Sequence, residues 1–317
     1  MRYIKKIYLH KTLDRAAIID IGTLKTKFVI AEFDKDLKRK ILYKDKKLTV
    51  IGRDLDKTDN IIIQKSIDKQ VEALKEFMAK IRKYKVKAYR VIGTEALRRA
   101  KNSKGVLSII EKITKQPTDL LTHEDEAKIY FNVIANDLDG DLAVADIGGG
   151  SVQLTIGNKD SIASMHLLKT GVYYLQEKFG QSHLPTKQDQ DDAWAYVRSE
   201  VSKLKLNKNK KIKFVYGSTN IIDFFKETGI KLKKVDHTVE HPYKSATAEL
   251  LKLYHKLMPY TYEERMEFFP SEPYYMWGAD KAIMNVVALC EALGVNDVIP
   301  SNMNISDGLL LDLVKKV

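Results

Sequence analysis

The sequence predicts two α/β domains with a cleft between them, and three observations predict it. Two short apolar strands each run into an Asp-Ile-Gly turn and out again as a strand: AAIIDIGTLKTKFVI near the start and LAVADIGGGSVQLTIG near the middle. After each of them strands give way to helices, and strands followed by helices, twice over, are the signature of two layered units. The chain has 317 residues, enough for two domains with real cores. The distance from Asp20 to Asp146 is too long for a solenoid repeat and suits two related domains.

Each element has a local reason. AAIIDIG reads as a buried strand ending in an acidic turn, and KFVIAEF and KILYKDKKLTVIG continue it as an antiparallel meander with turns around Asp34–Lys40. SIDKQVEALKEFMAKIRKYK places Val71, Leu74, Phe77, Met78 and Ile81 at helical spacing, with Ser66 as its N-cap. AYRVIG is a strand, and TEALRRAKNSKGVLSIIEKI opens a helical region. LLTHEDEAKIYFNVIAND is a helix with acidic residues in its first turn, where they complement the dipole. LAVADIGGGSVQLTIGN then restarts the strand–turn–strand pattern. A helix from Lys187 to Leu204, the strand IKFVYGSTN, a helix around AIMNVVALCEALG, the strand-like VNDVIPSN and a closing helix DGLLLDLVKKV follow. The domains are drawn at 1–128 and 129–317, with the closing helix 307–317 able to pack back on the first domain.

Composition narrows the class. The apolar fraction is 44%, and no apolar run is long enough to span a bilayer. MRYIKKIYLHKTLDR lacks the apolar stretch of a secretory signal, so a soluble cytoplasmic protein with no membrane partner is expected. The single cysteine, Cys290 in VVALCEALG, excludes an internal disulfide and a cysteine zinc site, and reads as a small core residue. The formal charge of +12 attracts polyanions. No zinc-finger spacing and no basic-aromatic RNA motif is present, so nucleic acid is not the expected partner. The lysine-rich KLKLNKNKKIKF, Lys203 to Phe214, reads as a solvated helix end and loop before a strand.

The two turns carry the chemistry. A glycine-rich hairpin exposes backbone N–H groups with no side chain in the way and can cradle phosphate oxygens. Gly148, Gly149 and Gly150 supply such a turn, and Ser151 adds a hydroxyl. Asp146 repels phosphate directly, so its natural role is to hold Mg²⁺, or another divalent cation, which neutralises the phosphate. Asp20, Gly22 and Thr23 repeat the order in the first turn. A triplet of glycines alone is a weak signal; two Asp-x-Gly hairpins at domain spacing in a basic chain are a stronger one.

AAIIDIGTLKTKFVI, RVIGTEALRRAKN, LLTHEDEAKIYFNV, LAVADIGGGSVQLTIG and SDGLLLDLV, in that order, resemble the exopolyphosphatase and guanosine pentaphosphate phosphatase (Ppx/GppA) family over nearly the full length. The resemblance implies two ribonuclease H-like domains of the actin-like ATPase superfamily around an interdomain phosphate cleft. It implies that Glu126 in HEDEAK activates the attacking water and that Arg98 in TEALRRA lies near the phosphates, where a guanidinium fork suits an oxyanion. Without the resemblance, the helix dipole is the better explanation of Glu124, Asp125 and Glu126; the resemblance reverses that order. The resemblance also implies that Asp20 and Gly22 form one phosphate and metal loop and that Asp146 and Gly148 form the other.

Several positions depart from the family's usual pattern. After Gly22 the family's small polar run is Thr23, Leu24 and Lys25; Lys25 either grips phosphate as a point charge or faces solvent. Gln153 stands where the family has a glutamate implicated in metal or water positioning. It hydrogen-bonds but is neither a base nor an anionic ligand. The third phosphate loop becomes Gly217, Ser218, Thr219, Asn220 and Ile221, and Asn tolerates positive φ, so the turn can persist. Ser306 and Asp307 replace an Arg-Glu pair.

The expected function is release of terminal orthophosphate from inorganic polyphosphate or guanosine polyphosphates with Mg²⁺, using positioning and charge neutralisation. The alternative is a weak or inactive binder of the same ligands with a regulatory role. A sugar or acetate kinase of the same class fits the motif order least. Longer family members add C-terminal helical domains; this chain stops at Val317, which predicts short substrates or a groove completed in a homodimer.

Overall fold

The structure is a computed structural model that describes residues 15–34, 39–52, 55, 57–180, 184–209, 211–218, 220–235, 238 and 240–315. The chain divides into two compact units: the residues up to Glu126 together with those from Ile305 onward, and Ala127–Asn304.

In the first unit the alternating apolar strands β1 (Arg15–Ile21), β2 (Thr26–Phe33) and β3 (Arg39–Lys47) form the expected antiparallel meander. Helix α1 (Gln64–Lys83) leads to β4 (Ala88–Gly93), which lies parallel to β1. Helices α2 (Glu95–Arg99) and α3 (Ser103–Thr114) precede β5 (Thr118–Leu120), parallel to β4, and α4 (His123–Ala135) follows. The sheet order is β3-β2-β1-β4-β5. Leu74, Phe77, Met78 and Ile81 are buried, as their spacing requires, and Phe77 stacks on Phe28 of β2 with ring centroids 4.6 Å apart. The α1 cap is a correction. The N-cap is Ile63, and Ser66 lies inside the helix with its hydroxyl donating to the Val50 carbonyl, a tertiary bond that local spacing does not reveal.

The second unit repeats the plan. Strands β6 (Leu142–Ile147), β7 (Val152–Gly157) and β8 (Ile162–Leu168) form an antiparallel meander, followed by α5 (Val172–Phe179) and α6 (Lys187–Ser202). Thr186 and Asp189 close a capping box at the start of α6. Strand β9 (Lys213–Gly217) runs parallel to β6, then come α7 (Ile221–Glu227), β10 (Lys233–Lys234) and β11 (Tyr243–Ala246). After α8 (Thr247–Leu257), α9 (Tyr262–Arg265) and α10 (Ala279–Leu293), β12 (Asp297–Ser301) lies parallel to β9. The order is β10-β11-β12-β9-β6-β7-β8. Helix α10 is apolar on nearly every face and is buried accordingly, with Asp280, Lys281 and Asn285 carried inside. The closing helix α11 (Ile305–Lys315) packs on β1 and β4 of the first unit, where Asp307 pairs with Arg39.

Meander first, parallel strands after, as in β3-β2-β1-β4-β5 of the first sheet and β8-β7-β6-β9-β12 of the second, is the ribonuclease H-like plan. It brings strand carboxyl ends into line, which is where open α/β sheets carry their ligands. In the first unit Ile21 faces Gly93 and Gly93 faces Leu120; in the second Asp146 faces Gly217 and Gly217 faces Ser301.

Candidate functional site

The two glycine hairpins share one construction. Gly22 N–H donates to the Lys25 carbonyl at 3.1 Å, and Gly148 N–H donates to the Ser151 carbonyl at 3.0 Å. The loop carbonyls are tied back into each unit. Thr23 and Leu24 carbonyls accept from Gly52 and Val50 at 2.8 and 2.9 Å. Gly148 and Gly149 carbonyls accept from Val172 and Tyr173, the first residues of α5, at 3.0 and 2.8 Å. The amides of Thr23 and Leu24, and of Gly149, Gly150 and Ser151, donate to nothing among the described residues. Peptides whose carbonyls are engaged and whose N–H groups are not can offer those N–H groups to an anion.

Two glycines that the sequence reading passed over make this possible. A Cβ on Gly171 would lie 2.3 Å from both the Gly150 carbonyl carbon and the Ser151 nitrogen. A Cβ on Gly52 would lie 2.3 Å from the Thr23 methyl. The signal was only a lone glycine after KT in LLKTGVYY and after TVI in KKLTVIG, and neither stands out without the tertiary contact.

The carboxylates differ in setting. Asp20 is buried and sits opposite Lys27 in the β1–β2 register. Burial pushes its carboxyl above the usual range, while the Lys27 ammonium pulls it back down. Asp146 is half-buried and sits opposite Gln153. So Lys27 and Gln153 occupy equivalent places in the two units, and only the second Asp faces a neutral partner. Lys25 is half-buried and engaged.

In the first unit, Arg98 and Glu126 come together. Arg98 Nη1 donates to Glu126 Oε1 at 2.6 Å and to the Leu121 carbonyl, and Nη2 donates to Glu95 Oε2 at 3.0 Å. His123 Nε2 stands 2.9 Å from the same Glu95 oxygen. Strand ends place this cluster: Thr94, capping α2, donates to the Ile21 carbonyl, and Leu121 donates to the Gly93 carbonyl. The helix-dipole explanation of the acidic run now divides by residue. Asp125 forms a capping box with Thr122, accepting from its N–H and hydroxyl at 3.0 and 2.7 Å. Glu126, one residue on, turns to Arg98 instead. Glu95 and His123 join this cluster and are absent from the residues the sequence singled out, although both lie within the quoted segments.

The third loop is a different matter. A Cβ on Gly217 would fall 1.0 Å from the Tyr130 hydroxyl, so this glycine is required by packing. Ser218 N–H is spent on the Ser301 carbonyl at 3.2 Å. Asn220 adopts φ +62° as anticipated, and its amide donates to Glu272. Thr219 lies outside the described residues. The glycine and the amide are thus committed to the fold, whatever the Ser218 hydroxyl contributes.

For a divalent cation the donor set is sparse: no group of three or more His, Cys, Asp or Glu suited to a metal occurs among the described residues. Asp146 beside the amide of Gln153 still fits Mg²⁺. That ion commonly takes one or two carboxylates and completes its shell with water and substrate phosphates. Asp20, answered by Lys27, fits less well. No helix among the described residues is long and apolar enough to cross a membrane.

A ribonuclease H-like pair of α/β units with matched glycine hairpins at strand ends defines the class of protein. The chain belongs to the Ppx/GppA phosphatase family, whose profile matches residues 29–317. The match starts after the first hairpin turn, so the altered Thr23–Leu24–Lys25 loop lies outside it. Structures similar to this one include an Aquifex aeolicus Ppx/GppA family member, with TM-score 0.82, 24% identity, and 95% of this chain and 98% of that one covered. An exopolyphosphatase from Cytophaga hutchinsonii gives TM-score 0.81 at 20% identity, covering 96% and 98%. A bifunctional 3-dehydroquinate synthase/phosphatase from Fusobacterium nucleatum subsp. nucleatum is 30% identical over 186 residues. That stretch is 56% of this chain and only 28% of the relative.

Proposed function

We propose that the chain is a phosphohydrolase that releases terminal orthophosphate from inorganic polyphosphate or from guanosine penta- or tetraphosphate. The observation that carries this is the matched pair of hairpins with amides turned outward, in a chain where Arg98 holds Glu126 at strand ends of the first unit. Gly22, Thr23, Gly148, Gly149, Gly150 and Ser151 would hold phosphate oxygens through their amides, and Ser151 and Ser218 through hydroxyls. Glu126 would orient a water and take its proton as the water attacks the terminal phosphorus; the leaving chain departs with the P–O–P oxygen. Arg98 aims that carboxylate. Mg²⁺ bound at Asp146 and Gln153 would supply charge neutralisation on the phosphates.

The test is orthophosphate release from long-chain polyphosphate and, separately, from the guanosine polyphosphates, each with Mg²⁺. Release from either supports the reading and names the substrate; release from neither rejects it. The alternative, a binder of the same ligands without turnover, is favoured by Gln153 and by the commitment of Arg98 to Glu95, Glu126 and Leu121. Calorimetric binding without release would select it.

Gln153→Glu is informative here. It places two carboxylates directly opposite one another on β6 and β7. Like charges so placed are destabilising, by up to about 1 kcal/mol, unless a cation bridges them. The variant should melt below the parent in chelator and above it in millimolar Mg²⁺, and it should turn over faster. A Mg²⁺ response equal to that of the parent would remove Gln153 from the metal site.

A further inference from the structure

Behind the second hairpin, wholly inside the second unit, three formal charges are enclosed together. Arg265, Asp280 and Lys281 are each 0% exposed. Arg265 Nη1 stands 3.4 Å from Asp280 Oδ2, and Lys281 Nζ stands 3.3 Å from the same oxygen. Two cations thus share one carboxylate, and the cluster carries a surplus of one positive charge. The carboxylate's other oxygen is taken by the Lys281 backbone N–H at 2.9 Å. Arg265 Nε is satisfied by the Leu257 and Tyr260 carbonyls at 2.9 and 3.1 Å. Its two terminal nitrogens, and Lys281 Nζ, have no hydrogen-bond partner among the described residues.

The surroundings do not cancel the surplus. Lys281 lies in the first turn of α10, the positive end of that helix, where a cation is disfavoured. Two further carboxylates, both on α6, act on the tyrosines Tyr262 and Tyr254: Asp189 is engaged in its capping box, and Asp191 is exposed. The hydroxyls of Thr170 and Tyr262 are also buried, the latter beside the Gln176 side chain. The Tyr262 ring lies under the Arg265 guanidinium, 4.8 Å away. Asn285, one turn along from Lys281, donates to the Thr170 carbonyl at 2.8 Å. A buried charge left uncompensated is among the most unfavourable arrangements available to a fold.

We propose that this enclosure binds a small monovalent anion of chloride size, held by Arg265 Nη and Lys281 Nζ. One negative charge cancels the surplus, and the partnerless N–H groups acquire an acceptor. A small ion suits an enclosure whose charged residues have no solvent exposure; polyphosphate cannot reach it, so the site is separate from the hairpin amides. It has a consequence for them. Thr170 precedes Gly171, which rests on the hairpin, and Val172 and Tyr173 hold the hairpin's carbonyls. The anion therefore steadies the floor of the second loop, whether or not the chain hydrolyses anything.

The experiment has two arms. Crystals of the full chain grown in bromide should show an anomalous peak within hydrogen-bond reach of both Arg265 and Lys281; water density there with no anomalous signal overturns the proposal. In melts at constant ionic strength, replacing methanesulfonate by chloride should raise the midpoint by roughly 2–4 °C once chloride is about fivefold above its Kd. Lys281→Met, which is one atom shorter, unbranched and uncharged, should lose that response. An equal response in Lys281→Met and the parent would mean a general salt effect and would also overturn it. If the variant does not fold, the bromide arm decides alone.

Discussion

Glu126→Gln is expected to lower kcat for orthophosphate release by about 10²- to 10⁴-fold, the usual contribution of a positioned base. KM and the melting temperature should barely move. Glutamine keeps the shape and still offers an oxygen to Arg98 Nη1, which now donates to Glu126 Oε1 at 2.6 Å. What it loses is the ability to take a proton. The fold should tolerate the change because Glu126 does not cap α4; Asp125 does, through its box with Thr122. Asp125→Ala is therefore the matched control. It should destabilise the chain by about 1 kcal/mol through the lost cap and leave kcat near that of the parent. Equal rates for Glu126→Gln and the parent would remove Glu126 from the chemistry. Loss of both activity and stability in the two variants alike would mean that the acidic turn is only a helix start.

That separation of neighbours shows what a sequence can and cannot disclose here. The hairpins were legible because everything that makes them is local. Alternating apolar residues build the strands, an Asp closes each, and glycines allow the turn. The α1 stripe was legible for the same reason. Residues whose roles are set by distant partners were not. Glu95 and His123 acquire meaning only because parallel pairing of β1, β4 and β5 brings three strand ends side by side. Gly217 carries the look of a phosphate loop, yet its missing side chain makes room for the Tyr130 hydroxyl on α4. Ser66 has the chemistry of a helix cap but is drawn to Val50. The stretch IASMHLLKTGVYYLQEKF changes from strand β8 to α5 within a few residues, and its glycine belongs to the hairpin's packing rather than to either element.

That glycine supports the other large effect. Gly171→Ala should lower the melting temperature and reduce kcat/KM by about 10²-fold, while Gly150→Ala should leave stability at or slightly above that of the parent. The added methyl at 171 meets three backbone atoms: Gly150 C and Ser151 N at 2.3 Å and Gly149 O at 2.4 Å. Backbone cannot rotate aside as a side chain can, so either the hairpin or the start of α5 must shift. Overpacking of this kind costs about 1–3 kcal/mol. A shift also breaks the Val172 and Tyr173 bonds to the hairpin carbonyls, and those bonds are what turn the amides outward. A displacement of about 1 Å at a positioned group is enough for a 10²-fold loss of rate. At Gly150 no heavy atom lies within 4 Å of the added carbon, and φ is not in the left-handed region. The methyl there meets no protein and also restricts the unfolded chain, an effect worth up to about 1 kcal/mol in favour of folding. It does project from the hairpin into the open space a bound phosphate would use, so Gly150→Ala should raise KM without lowering the melting temperature. Unchanged kcat/KM in Gly171→Ala with a lowered melting temperature would confine the hairpin to a structural role.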